Sequence, residues 1–209
     1  MAVAALLVAC GGEPSSDSNE PSGTYRVHVT EATFPTAQRL GQTSLLQLGI
    51  RNTGKKTIPA LTVTITIAGR AGRDSSLPFG VHDPQPGLAQ SDRPVWVLSE
   101  TYPRLVGSSK PGGASTSNRK TFSFGSVKPG RTIAAAWKLS AVKAGEFTLL
   151  YRIGAGLNSG AKAKTDGGVA PGGSFVTEIT QALPETEVTD SGEVIEIQPS
   201  KSGAGKNNE

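Results

Sequence analysis

The chain has 209 residues and a formal net charge of +4, with 26 Gly, 14 Pro, 36% hydrophobic and 5% aromatic residues. That length gives one domain with tails, or two small ones at most, and so much Gly and Pro excludes a helical bundle without reaching the composition of a disordered chain. A single cysteine, Cys10, excludes an intrachain disulfide and a zinc site built on cysteines, two histidines (His28 and His82) leave little for acid–base or metal work, and no run of 18 apolar residues offers a spanning helix.

Residues 2–9, Ala-Val-Ala-Ala-Leu-Leu-Val-Ala, form a short apolar run that ends at Cys10 and gives way to Gly11-Gly12 and a polar stretch, which reads as a signal h-region. Leu7-Val8-Ala9-Cys10 resembles the bacterial lipobox. The resemblance implies a signal peptide cut before Cys10, lipidation of the Cys10 thiol, and attachment to the cell membrane on its extracytoplasmic face through acyl chains such as palmitate. No Lys or Arg precedes Arg26, whereas such signals carry a positive n-region, so the expectation is a true start further upstream. Residues 11–23, rich in Ser, Glu, Pro and Gly, read as a flexible tether.

From Tyr25 onward, apolar residues recur at every second position in short runs bounded by turn residues, which is the pattern of half-buried strands. Tyr25, Val27 and Val29 give the first; Leu46, Leu48 and Ile50 the next; Leu61 to Ile67, aliphatic at odd and Thr at even positions, is the cleanest. Val95 to Leu98, Phe122 with Phe124, Ile133 to Leu139, Phe147 to Ile153 and Ser174 to Thr180 follow. Asn52-Thr53-Gly54, Lys128-Pro129-Gly130 and Lys143-Ala144-Gly145 supply the reversals between them. About eight strands without intervening helices predict an antiparallel β-sandwich over residues 24–182, interrupted by a long insertion at about 68–119 that reads as loop, the Trp96 strand, and loop again. Without a disulfide the sandwich rests on burial, and Trp137 is read as core, with a surface ligand platform as the alternative.

Ser44-Leu45-Leu46-Gln47-Leu48-Gly49-Ile50-Arg51-Asn52-Thr53-Gly54, followed by Ile58-Pro59-Ala60-Leu61-Thr62-Val63, resembles the first strands of bacterial immunoglobulin-like domains of the cell-adhesion-related (CARDB) type. Lys128-Pro129-Gly130-Arg131-Thr132, the Trp137 strand, and Ala144-Gly145-Glu146-Phe147 with Tyr151 resemble the later ones. The resemblance spans about residues 24–182 and implies an all-β, immunoglobulin-like antiparallel sandwich that acts by binding.

Charge is divided along the chain: −3 over residues 1–23, +12 over 24–177 and −5 over 178–209. A cationic body is attracted to anionic envelope polymers, surface proteins or lipid headgroups. Arg51, Lys55 and Lys56 in one turn, and Arg119 with Lys120 in another, are the candidate polyanion-binding residues; the alternative is solvated charge that keeps a Gly-rich domain in solution. Neither cluster interleaves aromatics, so nucleic acid is not expected.

The catalytic motifs fail one by one. Gly49 to Lys55 begins like a P-loop, but Lys56 stands where Ser or Thr would bind magnesium, and a strand follows instead of a helix. Ser-x-x-Lys occurs three times, at Ser117, Ser140 and Ser159, without a Lys-Thr-Gly companion. Gly154-Ala155-Gly156 with Gly160 misses the dinucleotide fingerprint by one residue. No Asp-x-Asp calcium loop occurs, so no metal and no cofactor is expected, although calcium gathered from distant loop ends stays open.

Residues 183–209 form an acidic tail, read as mostly disordered, in which Val194 to Ile197 could add an edge strand. The reading is therefore a monomeric, non-catalytic surface lipoprotein. The alternatives are an accessory periplasmic module of a transport or secretion complex, and a hydrolase working from the His82-Asp83 loop.

Overall fold

The structure, a computed structural model, describes residues 20–68, 79–81, 94–108, 113–115, 120–158, 160–181 and 186–196. Cys10, His82 and Arg119 lie outside them, so the readings placed on those three are expectations from sequence. Every element among the described residues is a strand or a turn, and among them no helix is long and apolar enough to cross a membrane.

Alternation of apolar and polar residues makes the two long strands at the centre of the first sheet, β3 (Thr43–Asn52) and β10 (Thr132–Ala141). Leu46, Leu48 and Ile50 of β3 and Ala135, Trp137 and Leu139 of β10 point the same way and are buried. They pair antiparallel from Thr132 against Arg51 to Ser140 against Thr43. β1 (Gly23–Thr33) flanks β3, with a bulge between Val29 and Glu31. Gly49 faces that bulge: a Cβ there would sit 2.5 Å from the Thr30 Oγ1, so the bulge and the glycine go together. β12 (Ala161–Lys164) extends the sheet beyond β1, and β5 (Phe79–Val81), β6 (Trp96–Leu98) and β7 (Arg104–Leu105) extend it on the side of β10.

The second sheet is built on β4 (Thr62–Ile67) and β11 (Gly145–Gly154), with β13 (Gly172–Thr180) and β2 (Ala37–Arg39) on one side and β9 (Thr121–Ser123) and β8 (Ala114–Ser115) on the other. Val63, Ile65 and Ile67 face inward, and the intervening threonines line the outer face, where Thr64 and Thr121 share a hydroxyl hydrogen bond of 2.9 Å. The chain crosses between sheets from β3 to β4 and again from β10 to β11. In space the first sheet therefore runs β1-β3-β10-β6 and the second β13-β11-β4-β9, the strand arrangement of an immunoglobulin-like sandwich.

Two tryptophans fill the space between the sheets. Trp137 is fully buried with its ring edge-on to Phe122 at 5.9 Å and Phe124 at 5.5 Å. Trp96 is also fully buried, edge-on to Phe34 at 5.6 Å and Phe147 at 5.9 Å. Burial of Trp137 rules out the surface ligand platform. The two indole N–H groups differ: Trp96 donates to the buried Gln38 Oε1 at 2.9 Å, whereas Trp137 Nε1 has no partner.

The expected sandwich is present, with three differences. Its sheets are mixed, because β12 pairs parallel with β1, β2 parallel with β13 and β5 parallel with β6. The first two of these arise where the chain changes sheets: after β1, Pro35 has no N–H to continue the ladder and the chain moves over to lie beside β13, and after β11 it moves back to lie beside β1. The tail segment Val194–Glu196 (β15) does not add an edge to the body either; it pairs only with Thr186–Val188 (β14) in a separate acidic hairpin. The insertion also contributes more than the Trp96 strand, since β5, β7 and β8 come from it.

Candidate functional site

One end of the sandwich gathers cations from three separate segments. Arg51, the penultimate residue of β3, lies between His28 of β1 and Thr132 of β10 in cross-strand register, all on the outward face. Beyond it the chain turns through Lys55 and Lys56, and the turn is held by Asn52, which is wholly buried. The Asn52 Nδ2 donates to the Lys56 carbonyl at 2.9 Å and to the Val127 carbonyl at 2.8 Å, while its Oδ1 accepts from the Gly54 N–H at 2.9 Å. One amide therefore ties the lysine-bearing turn to the segment that leads into β10.

That neighbouring segment carries Lys128 and Arg131. Lys128-Pro129-Gly130-Arg131 closes with the Arg131 N–H donating to the Lys128 carbonyl at 3.2 Å. Pro129 presets the turn, and Gly130 takes a φ of 73° that other residues rarely adopt. From the other side, Arg26 of β1 pairs in register with Lys164 of β12, and its guanidinium donates to the Asp166 carbonyl at 2.8 Å. Arg26, Arg51, Lys55, Lys56, Lys128 and Arg131 are all exposed.

Between these segments lies a cleft of about 460 Å³ lined by His28, Arg51, Asn52, Thr53, Gly130 and Asp166. Its one acid, Asp166, accepts a hydrogen bond from the Thr53 hydroxyl at 3.1 Å. A second hollow of about 590 Å³ lies along Lys128, Arg131, Thr132 and Ile133. Each charge is exposed and individually weak. Six of them at one end form a field that attracts anions and that salt screens over about 8 Å at physiological strength. Among the described residues no group of three or more His, Cys, Asp and Glu side chains is placed to hold a metal ion.

No family model matches the sequence, and no curated protein does. Among solved structures it is similar to the CARDB domain of PF1109 from Pyrococcus furiosus, in solution (9% identity over 76% of this chain and 95% of that one, TM-score 0.41). It is likewise similar to the crystal structure of that domain in complex with di-metal ions (10% identity, 78% and 97% covered, TM-score 0.35). A third similar structure is PapD-like domain 7 of human CEP192 (14% identity, 88% and 99% covered, TM-score 0.40).

Of the five polyanion candidates, Arg51, Lys55 and Lys56 stand together at the cationic end. Lys120 does not join them: its carbonyl accepts from the Ile65 N–H at 2.8 Å, which places it beside β4 on the second sheet. Arg119 lies outside the described residues. Arg26, Lys128 and Arg131 were not singled out by sequence. The signal for Arg131 was present, because Lys-Pro-Gly makes a turn and Arg131 immediately precedes β10, where its carbonyl accepts from the Asn52 N–H at the end of β3 at 3.0 Å. Nothing local marks Arg26, which reaches the site only through pairing across 25 residues and more.

Proposed function

We propose that this protein is a non-catalytic surface module, lipid-anchored through Cys10, that binds an anionic polymer of the cell envelope at the end carrying Arg26, Arg51, Lys55, Lys56, Lys128 and Arg131. The observation that carries the reading is convergence: three segments remote in sequence deliver six exposed cations to one end, where Arg51 lines a cleft with a single acid and Lys128 and Arg131 line a second hollow. The site offers guanidinium and ammonium groups to phosphate or carboxylate, the pairing that charge-assisted hydrogen bonds make strong, which supports recognition as its chemistry.

The test is retention on an immobilised polyanion, inorganic polyphosphate, at two salt concentrations. Binding should weaken steeply between 50 and 300 mM salt, as expected when several exposed charges act together, in line with a Debye length that shrinks from about 14 to about 6 Å. The triple change Arg51→Glu, Lys55→Glu and Lys56→Glu should abolish retention, while the charge-matched triple change Lys120→Glu, Lys138→Glu and Arg152→Glu, placed away from that end, should leave most of it. Equal loss from both variants would reduce the effect to net charge and remove the site. For the anchor, labelled palmitate should enter the wild-type protein in cells and be absent from Cys10→Ser; labelling that survives the change refutes it.

A further inference from the structure

The near-miss dinucleotide motif, Gly154-Ala155-Gly156 with Gly160, has an occupant. It follows β11 and opens no helix, yet its backbone holds an anion. The Leu157 N–H donates to both carboxylate oxygens of Glu20, at 3.0 Å and 2.8 Å, and the Asn158 N–H donates to the Glu20 Oε2 at 3.2 Å. Two successive amides converging on one carboxylate make a nest, the concavity that main-chain N–H groups form around anions.

We propose that this loop is a carboxylate-binding site, filled in cis by Glu20, which clamps the segment preceding β1 onto the body. The loop is rigid on its inner side: Ala155 is wholly buried, its carbonyl accepts from the Ala60 N–H at 3.2 Å, and the Gly156 carbonyl accepts from the Thr62 hydroxyl at 3.4 Å. Two of its glycines, Gly156 and Gly160, stand where the strap passes. A Cβ on Gly156 would collide with the Glu20 carboxylate and come within 2.8 Å of the Ala161 Cβ, and one on Gly160 would lie 2.7 Å from the Ser22 Oγ.

The strap is secured further along. The Tyr25 hydroxyl donates to the Pro21 carbonyl at 3.2 Å, and the Gly23 N–H donates to the Gly160 carbonyl at 2.9 Å. The ligand class follows from the occupant: the Leu157 and Asn158 amides hold a carboxylate, supplied by Glu20 or, when Glu20 is absent, by a free acid or an acidic peptide. This site is separate from the cationic end and does not depend on the polyanion reading.

The experiment uses the full chain labelled with nitrogen-15. In Glu20→Ala the Leu157 and Asn158 amide protons should move upfield and exchange with deuterium about 5- to 30-fold faster, the factor for one to two kcal/mol of lost protection. Sodium acetate titrated into Glu20→Ala should return those two resonances saturably towards their wild-type positions, while sodium chloride of equal ionic strength does not. Wild type, its nest already filled, should not respond. Unchanged amides in Glu20→Ala would overturn the clamp. An acetate response equal in wild type and variant would show that Glu20 does not fill the site, and no response in Glu20→Ala would show that the loop is not a carboxylate nest.

Discussion

Replacing each tryptophan by phenylalanine tests how the core is satisfied, because the two indoles share burial and differ in one hydrogen bond. Both are fully buried and both pack edge-on against two phenylalanines. Shrinking either ring to Phe removes roughly the equivalent of two to three methylenes, about 2 kcal/mol at ~0.8 kcal/mol each. In Trp137→Phe the change also deletes a buried donor that has no partner, returning about 1 to 3 kcal/mol. In Trp96→Phe it strips the Gln38 Oε1 of its donor inside the core, costing a further ~1 to 3 kcal/mol. The expected losses are thus near zero for Trp137→Phe and about 4 kcal/mol for Trp96→Phe. Urea unfolding followed by far-ultraviolet circular dichroism measures both, with the remaining tryptophan's emission reporting that each core is formed. Should Trp137→Phe cost as much as Trp96→Phe, hydrogen-bond satisfaction does not distinguish the two sites and the reasoning fails.

Asn52→Ala should cost about 2 to 3 kcal/mol, since it removes three hydrogen bonds, those to the Lys56 carbonyl, to the Gly54 N–H and to the Val127 carbonyl, the last of which keeps only the Ile58 N–H; Asn52→Asp should not restore stability in urea unfolding, because a carboxylate would face two carbonyls. Burial raises the Tyr151 phenol above its ordinary value of 10.0. The unfolded chain then loses this proton first, so stability is intact below about pH 10 and falls as pH rises through the raised folded value; Tyr151→Phe should flatten that alkaline decline in unfolding curves taken across it.

The fold was legible wherever one face of a strand is buried, because a period of two then appears in the sequence. The Leu46–Ile50, Val63–Ile67 and Trp137–Leu139 positions fall inside the core for that reason. The parallel edges were not legible. β2 and β12 are three and four residues long, too short to show a period, and their partners are set by where the chain changes sheets. The β14–β15 hairpin escaped for a different reason: Val194 and Val188 each remain 64% exposed, so an apolar spacing that would mark a buried face marks none here.

Sites built across strands leave weaker traces than cores. Arg51, Lys55 and Lys56 were visible as neighbours in one turn, but the field they belong to depends on Arg26 and Arg131, whose carbonyls accept from the Thr53 N–H at 3.1 Å and the Asn52 N–H at 3.0 Å just beyond the β1–β3 and β3–β10 registers. The Gly154 loop shows the same limit more sharply. Its glycines were conspicuous, yet the carboxylate that Gly156 makes room for, and that the Leu157 amide holds, lies 137 residues before Leu157 in the chain. A motif records the space that a backbone clears, whereas the occupant is chosen by topology. Here β12 returns to pair with β1 and so carries the loop to Glu20. Glu20 is engaged on backbone amides, and the cleft's lining includes Asp166 and no residue of the segment before β1. The strap and the cationic end are thus compatible in one molecule: the clamp neutralises none of the six cations, and an anionic partner need not displace it to bind.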